Sequence, residues 1–478
     1  MNFNPHFPPE FRDMRVCVLK YRPNGIAQDL LDALDELGST IRVFDVAQCR
    51  TEVRGGVRIE YTVDGETDTV PYLYRQIDSF DPHIILVLNN QGMEGNALLY
   101  AIADLKEIPL VNWYFDDPEF FPDSLLSADP AFVCYAVIDD NHADRLRARG
   151  NRNVVLIPIG VNRRRFEKYA QIPSTHEYQV TFVGKSGQTH INQIRKEIET
   201  GMGGIPDSMR RGLDAIIEQA ALRIHTNPGM TARTVLDEII AVTPGFAQFG
   251  DHPQVRPRLL SIFDFKASFS LRRDTINSVS NAEVTIIGDH FWQPYLHPTA
   301  RLLPSVSYDQ IGTVYRNSDV NINVSRYQLI ESVNQRAFDV PVAGGFLLTD
   351  YKTGIDKLFD PGREIICYTD GADLDDKVNY YLAHPEKRQS VIEQGRERIL
   401  QDHTYAKRLI SLLTELDKLG IRKGSVPPGE ITQRKLAPGL GEKLEKLAGV
   451  LEKSGQTETA RRIGQKLDRG TGHRSYTR

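Results

Sequence analysis

Cysteine is scarce in this chain: four in 478 residues, at Cys17, Cys49, Cys134 and Cys367. Their wide separation leaves no paired spacing for zinc or redox work, and each reads as a small buried hydrophobe in a reducing cytoplasm. Long apolar runs are missing as well. No stretch is long enough to span a bilayer, and the opening MNFNPHFPPEFRDM lacks a basic segment followed by an apolar core, so neither a transmembrane segment nor a secretory signal is expected. Charge is nearly balanced, with 58 Lys and Arg against 63 Asp and Glu for a net −5, which argues against a nucleic-acid partner. What is present is 40% hydrophobic and 25% charged, the composition of a globular protein with room for two or three domains.

The hydrophobic pattern predicts alternating strands and helices. In the first part the strands are RVCVLKY, IRVFDV, HIILVLNN, PLVNWYF, FVCYAVI and NVVLIPIG, with a hairpin turning at Asp64 and Gly65 between the second and third. Apolar strands separated by amphipathic helices predict a parallel, doubly wound sheet over residues 1–165. A second such sheet, over 175–402, is expected from YQVTFVGK, VTIIG, VNINV and GFLLTD. It is interrupted by a helical insertion at about 190–280, far longer than an ordinary connection. A closing helix at 403–420 and a basic helical tail at 421–478 follow. The tail resembles one tetratricopeptide hairpin or a solvated helix pair, and is a candidate surface for a protein partner.

The richest stretch is Asn321 to Asp350, NINVSRYQLIESVNQRAFDVPVAGGFLLTD. Glu331 and Asp339 are eight positions apart, so in a helix both carboxylates fall within about 80° of one face. Asn334 and Arg336 lie between them. Pro341 limits the helix, and Gly344 and Gly345 allow a sharp turn and the close approach of a ligand. Acidic groups suit sugar or ribose hydroxyls, and arginine suits phosphate.

Other candidates stand against simpler readings. Gly184-Lys185-Ser186 is not a Walker loop, because Gln179 occupies the position where that motif needs glycine; it can still present amides and an ammonium to phosphate. Asp373 and Asp375 have the spacing of a metal pair but suit a helix start, and no metal is expected. Asp116 and Asp117 end an apolar strand where open αβ sheets bind ligands, beside Trp113 and Tyr114, whose rings could hold a sugar. A turn capped by aspartate and fixed by Pro118 explains the same residues. His142 reads as a cleft donor or as a helix-start residue, with Asp139 or Asn141 sufficient as the cap.

The residues Asn321, Asn323, Arg326, Asn334, Arg336, Phe338, Asp339, Gly344, Gly345 and Asp350 closely resemble the donor-binding half of the CgeB-like, or spore-maturation-protein-like, glycosyltransferases. The resemblance extends from Asp319 to Leu412 through LFDPGREIICY and DHTYAKR. It continues more loosely over Arg15 to Asn162 through NWYFDDP and IPIGVN, and is absent from the insertion and the tail. It implies the GT-B class, with two Rossmann-like domains facing a cleft and a nucleotide-diphosphate sugar as co-substrate on the second domain, with no bound cofactor.

By the same resemblance Glu331 lies near the donor sugar and Asp339 on the ribose, although many relatives carry glutamate at the second place. Arg336, Arg326 and Lys185, with Gly184 and Asn334, are expected at the diphosphate, and Asp116 or Asp117 at the acceptor hydroxyl. The implied activity is a metal-independent, retaining hexosyltransferase-type transfer to a cell-surface glycan or a protein. A nucleotide-sugar epimerase and a non-catalytic binding member remain open as alternatives.

Overall fold

The computed structural model describes residues 14–20, 25–45, 62–63, 66–67, 74, 77–91, 98–122, 126, 130–201, 207–227, 229–424 and separate positions between 445 and 465. It divides into two compact units, residues 1–158 with 406–478 and residues 159–405.

In the first unit, β1 (Arg15–Lys20), α1 (Gly25–Glu36) and β2 (Thr40–Asp45) precede a small antiparallel pair, β3 (Thr62–Val63) and β4 (Glu66–Thr67). Val63 pairs with Glu66, and the expected turn at Asp64 and Gly65 lies outside the described residues. Then come β5 (Ile84–Leu88), α2 (Leu98–Lys106), β6 (Leu110–Tyr114), β7 (Val133–Val137), α3 (Asp140–Ala148) and β8 (Val154–Leu156). Six strands form one parallel sheet in the order β2-β1-β5-β6-β7-β8. Every residue of β5, β6 and β7 is buried, as expected for strands covered on both faces.

The tail differs from the solvated helix pair suggested by its charge. Leu451, Ala460 and Ile463 are buried in the same apolar cluster as Leu19, Tyr74, Leu99 and Tyr135. These three apolar positions are therefore consumed within the first unit.

The second unit starts with α4 (Arg163–Ala170) and β9 (Tyr178–Val183). The expected insertion follows as α5 (Gln188–Gly201), α6 (Asp207–Thr226), α7 (Ala232–Val242), the single turn α8 (Ala247–Gly250) and the long α9 (Arg256–Asn277). The chain then runs through β10 (Val284–Gly288), β11 (Arg301–Pro304), α10 (Ile311–Arg316), β12 (Ser318–Asn323), α11 (Arg336–Val342), β13 (Leu347–Asp350) and β14 (Ile366–Tyr368). The helices Gly371–Ala383 and Pro385–Asp402 close the unit.

Its parallel sheet has the order β11-β10-β9-β12-β13-β14, the Rossmann order 3-2-1-4-5-6 when counted within the unit. The two-sheet expectation therefore holds, each sheet being Rossmann-like. Two short strands, β11 and β14, add to those read from the sequence. No described helix is long and apolar enough to cross a membrane.

A charge placed on the tail's buried face tests the first unit's dependence on it. Leu451 is fully buried, so Leu451→Asp should destabilise that unit by about 3 kcal/mol or more, read by urea unfolding. A loss below about 0.5 kcal/mol would mean that the tail does not belong to this core.

Candidate functional site

In the order 3-2-1-4-5-6 the chain leaves the two central strands in opposite directions, opening a crevice at their carboxyl ends. Here those strands are β9 and β12. β9 ends in Gly184-Lys185-Ser186-Gly187 and leads into α5; Gly187 needs its left-handed φ of +86°. A side chain at Gly184 would come within 2.8 Å of the Phe182 ring and 3.1 Å of Arg336 Nη2. Ser186 N–H donates to Asp289 Oδ2 at 3.1 Å, so that loop amide is already committed.

β12 ends in Asn323, which is fully buried. Its Oδ1 accepts from Asn334 Nδ2 at 2.8 Å and from Arg336 Nη1 at 3.3 Å, and its Nδ2 donates to Thr349 Oγ1 on β13 at 2.9 Å. The Arg336 backbone N–H donates to Asn334 Oδ1 at 3.1 Å. Two asparagines thus hold Arg336 with its guanidinium 5.7 Å from the Phe182 ring centre, beside Gly184. Three residues chosen from sequence, Gly184, Asn334 and Arg336, come together at the crevice. Lys185 is on the same loop with its side chain exposed.

Arg326 reaches the crevice differently. Its Nε and Nη2 both donate to Asp264 Oδ2, at 2.8 and 2.6 Å, and its guanidinium lies 3.6 Å from the Phe265 ring centre. Asp264 is on α9, inside the insertion. Four residues on, Ser268 Oγ accepts from Tyr327 N–H at 3.0 Å, and four further on, Arg272 Nη1 donates to Lys185 O at 3.4 Å.

A step of four keeps residues on one helix face, so Asp264, Ser268 and Arg272 form a polar stripe, each less than 9% exposed. The sequence reading missed this stripe. Along the chain it is hidden in a plain alternation of apolar and polar residues from Phe263 to Arg272, in which Lys266 and Ser270 are polar as well. Burial, then repulsion by Arg336 and Arg326, pulls Arg272 down to about 9 against the opposing pull of Asp264 and Asp350. Burial also pushes the Asp350 carboxyl up, although Lys352 and the Ser325 N–H oppose this.

The helix expected from Glu331 to Asp339 does not form. The chain is irregular from 324 to 335 and α11 begins only at Arg336, so the two carboxylates do not share a helical face. The Asn334 side chain takes the Arg336 N–H at the helix start, a local bond that competes with continuing the helix backward. Pro341 falls in the last turn, and α11 ends at Val342. The Glu331 carbonyl accepts from Gly354 N–H at 2.8 Å.

Asp339 is 1% exposed; its Oδ2 accepts from the Tyr308 hydroxyl and its Oδ1 from Gln335 Nε2, both at 2.8 Å. Gly344 and Gly345 precede the amino end of β13, away from the crevice. A side chain at Gly345 would strike the Tyr315 carbonyl, and Arg316 Nη1 donates to Gly344 O at 2.9 Å. The close approach that these glycines permit is backbone packing, which corrects their reading as ligand-facing.

In the first unit the adjacent aspartates separate in role. Asp116 is half-buried at the end of β6 and accepts from Asn89 Nδ2 at 2.9 Å. Asp117 is buried, caps the short helix Pro118–Phe120 through Glu119 N–H, and pairs with Arg145 Nη2 at 2.7 Å, with His142 Nε2 3.7 Å away. Burial pushes its carboxyl up, but His142, Arg145 and the Glu119 amide outweigh this and hold it below the usual aspartate range. Such a group is a poor base, so the capped-turn reading holds for Asp117 and a catalytic role does not.

Trp113 and Tyr114 are fully buried: the indole donates to Ile157 O at 3.3 Å and the phenol to Asn90 Oδ1 at 2.9 Å. Neither ring is a sugar platform. Asp139 caps α3 as expected, accepting from Asn141 N–H.

Residues 272–414 match the family described as glycosyl transferase-like. The stretch contains Asn323, Asn334, Arg336 and Asp350. An uncharacterized protein of Aquifex aeolicus (strain VF5) is 22% identical over 394 residues, covering 79% of this chain and 89% of its own. Among solved structures, sucrose-phosphate synthase from Thermosynechococcus elongatus is 12% identical, covering 85% of this chain and 99% of its own at a TM-score of 0.47. Anabaena Alr3699/HepE in complex with UDP is 11% identical, covering 85% and 100% at 0.47.

The Asp117–Arg145 pair makes a stability prediction. Arg145→Met leaves two buried carboxylates, Asp117 and Glu119, without this partner and should cost about 3 kcal/mol at pH 7 by chemical denaturation. Because the folded-state pKa of Asp117 is depressed, the stabilisation is present above the unfolded value of about 3.9 and is lost as pH falls below it. The difference between wild type and variant should therefore shrink below about pH 4, and a constant difference down to about pH 2 would refute the assignment.

Proposed function

We propose that the protein is a glycosyltransferase that moves a sugar from a nucleotide-diphosphate donor to a hydroxyl of a glycan or protein acceptor, without a metal and with retention at the anomeric carbon. The observation that carries the reading is Arg336, oriented by Asn323 and Asn334 beside a glycine at the switch point of a Rossmann-order sheet. A glycosidic bond to a diphosphate breaks as negative charge grows on the leaving phosphate. A guanidinium fixed in advance stabilises that charge without reorganisation. The family segment spanning the same residues supports the assignment.

The remaining roles follow the chemistry of each side chain. Arg326, clamped by Asp264, and the exposed Lys185 add positive potential around the diphosphate. Glu331 is assigned to the donor sugar hydroxyls. The ribose is assigned to Asp339, where its hydroxyl takes the Oδ2 position now held by Tyr308. Asp116, on the first unit, is assigned to orienting or deprotonating the acceptor hydroxyl. Free thiols at Cys17, Cys134 and Cys367 suit a cytoplasmic setting.

A thermal-shift panel of UDP-, GDP-, CDP- and dTDP-sugars identifies the donor, and turnover of that donor tests the roles. Arg336→Met should lower kcat/KM by about 10²- to 10³-fold, with EDTA leaving wild-type turnover unchanged. Turnover by the variant within about fivefold of wild type, or by none of the donors in wild type, overturns the reading. Asp339→Asn should raise the donor KM more than Tyr308→Phe does, since the latter leaves the carboxylate available to the ribose.

A further inference from the structure

The second unit carries a buried cation that its own framework leaves poorly compensated. Arg272 is 8% exposed, its Nε has no hydrogen-bond partner among the described residues, and its Nη1 makes only the long 3.4 Å bond to Lys185 O there. Burying a guanidinium without a carboxylate costs several kcal/mol, so such a group persists only where something else offsets the cost.

The nearby acids are committed elsewhere. Asp264 Oδ2 receives two nitrogens of Arg326, and Asp350 Oδ1 accepts from Ser325 N–H while burial pushes its carboxyl up. A second cation adds to the imbalance. The guanidinium carbons of Arg272 and Arg336 lie 6.0 and 5.7 Å from the centre of the same Phe182 ring. The two arginines come from different elements, α9 and α11, and both lie against the Gly184–Lys185 segment.

We propose that Arg272, delivered by the helical insertion, is a diphosphate-binding residue that shares the ligand with Arg336, so that an anion in the crevice ties the insertion to the sheet. The inference rests on the donor-site reading of the same crevice and adds to it a residue from a segment outside the expected donor motif. Two guanidiniums flanking one glycine segment suit two linked phosphates better than one. The ligand charge also relieves their mutual repulsion, which is greatest when the crevice is empty. Asp264 and Ser268 complete the coupling: through Arg326 and Tyr327 they fasten the same face of α9 to the chain leaving β12.

Calorimetric titration with inorganic pyrophosphate and with inorganic phosphate tests this without any nucleotide or turnover. Wild type should bind pyrophosphate at least about tenfold more tightly than phosphate, and Arg272→Met should lose at least about tenfold in pyrophosphate affinity. The ligand-free melting temperature of Arg272→Met should equal or exceed that of wild type, because a repelled cation has been removed.

Hydrogen exchange on the wild-type protein gives a second readout that no variant's folding affects. Pyrophosphate should slow exchange across residues 256–277 as well as near Arg336. Pyrophosphate binding by Arg272→Met within about twofold of wild type, or no added protection of 256–277, overturns the inference. In either case a large loss in Arg336→Met leaves the donor-site reading standing. Conversely, Arg272-dependent pyrophosphate binding without turnover of any nucleotide sugar would keep the anion site and remove the transferase reading.

Discussion

The amide of Asn323 is the interaction on which the second unit's site depends. It is fully buried at the last residue of β12, where an unpaired amide would be costly, and nearly all of its capacity is used. One bond goes sideways to Thr349 on β13; two come from Asn334, near the end of the irregular segment, and from Arg336, just after it. The sheet, the segment after β12 and the start of α11 are thereby fixed to one another by a single side chain. That bonding gives Arg336 a defined direction, and a long flexible cation is useful in a site only when its direction is set beforehand.

The two units solve the burial of charge differently. In the first, the two buried acids of the turn after β6 meet bases: Asp117 meets Arg145, and Glu119 meets Arg145 and Arg149. Such a closed set stabilises a turn and offers little to a ligand. In the second, three arginines converge while Asp264 satisfies one of them. A surplus of positive charge at the carboxyl ends of parallel strands is the electrostatic complement of a phosphate group.

Much of this was legible in the sequence, for reasons that differ by residue. Strands such as Ile84–Leu88 and Val284–Gly288 are uniformly apolar because both faces are covered, and that pattern survives without any knowledge of neighbours. β11 and β14 escaped because they are short, and β11 is an edge strand with no fully buried residue. The Glu331–Asp339 helix was misjudged because residue spacing records which faces a helix would have, not whether Asn334 bonds to the backbone and delays its start. Trp113 and Tyr114 look like a sugar platform in isolation, but alternation in a strand covered on both faces buries both rings. Arg272 was invisible for the opposite reason: nothing around it in the chain distinguishes it, and its partners are 64 and 87 positions away, at Arg336 and Lys185.

The order in which the units occur along the chain bears on how the protein is made. Residues 159–405 are one unbroken segment, whereas the first unit needs residues 406–478 as well as 1–158. Leu451, Ala460 and Ile463 belong to the same core cluster as Leu19 and Tyr135. During synthesis from the amino end, the first sheet emerges early but lacks part of its apolar cover until Leu451, Ala460 and Ile463 have left the ribosome. The second unit is complete before then. The part of the chain made first is thus the part that finishes folding last, and it must keep an unfinished apolar surface from aggregating for the time needed to translate everything in between.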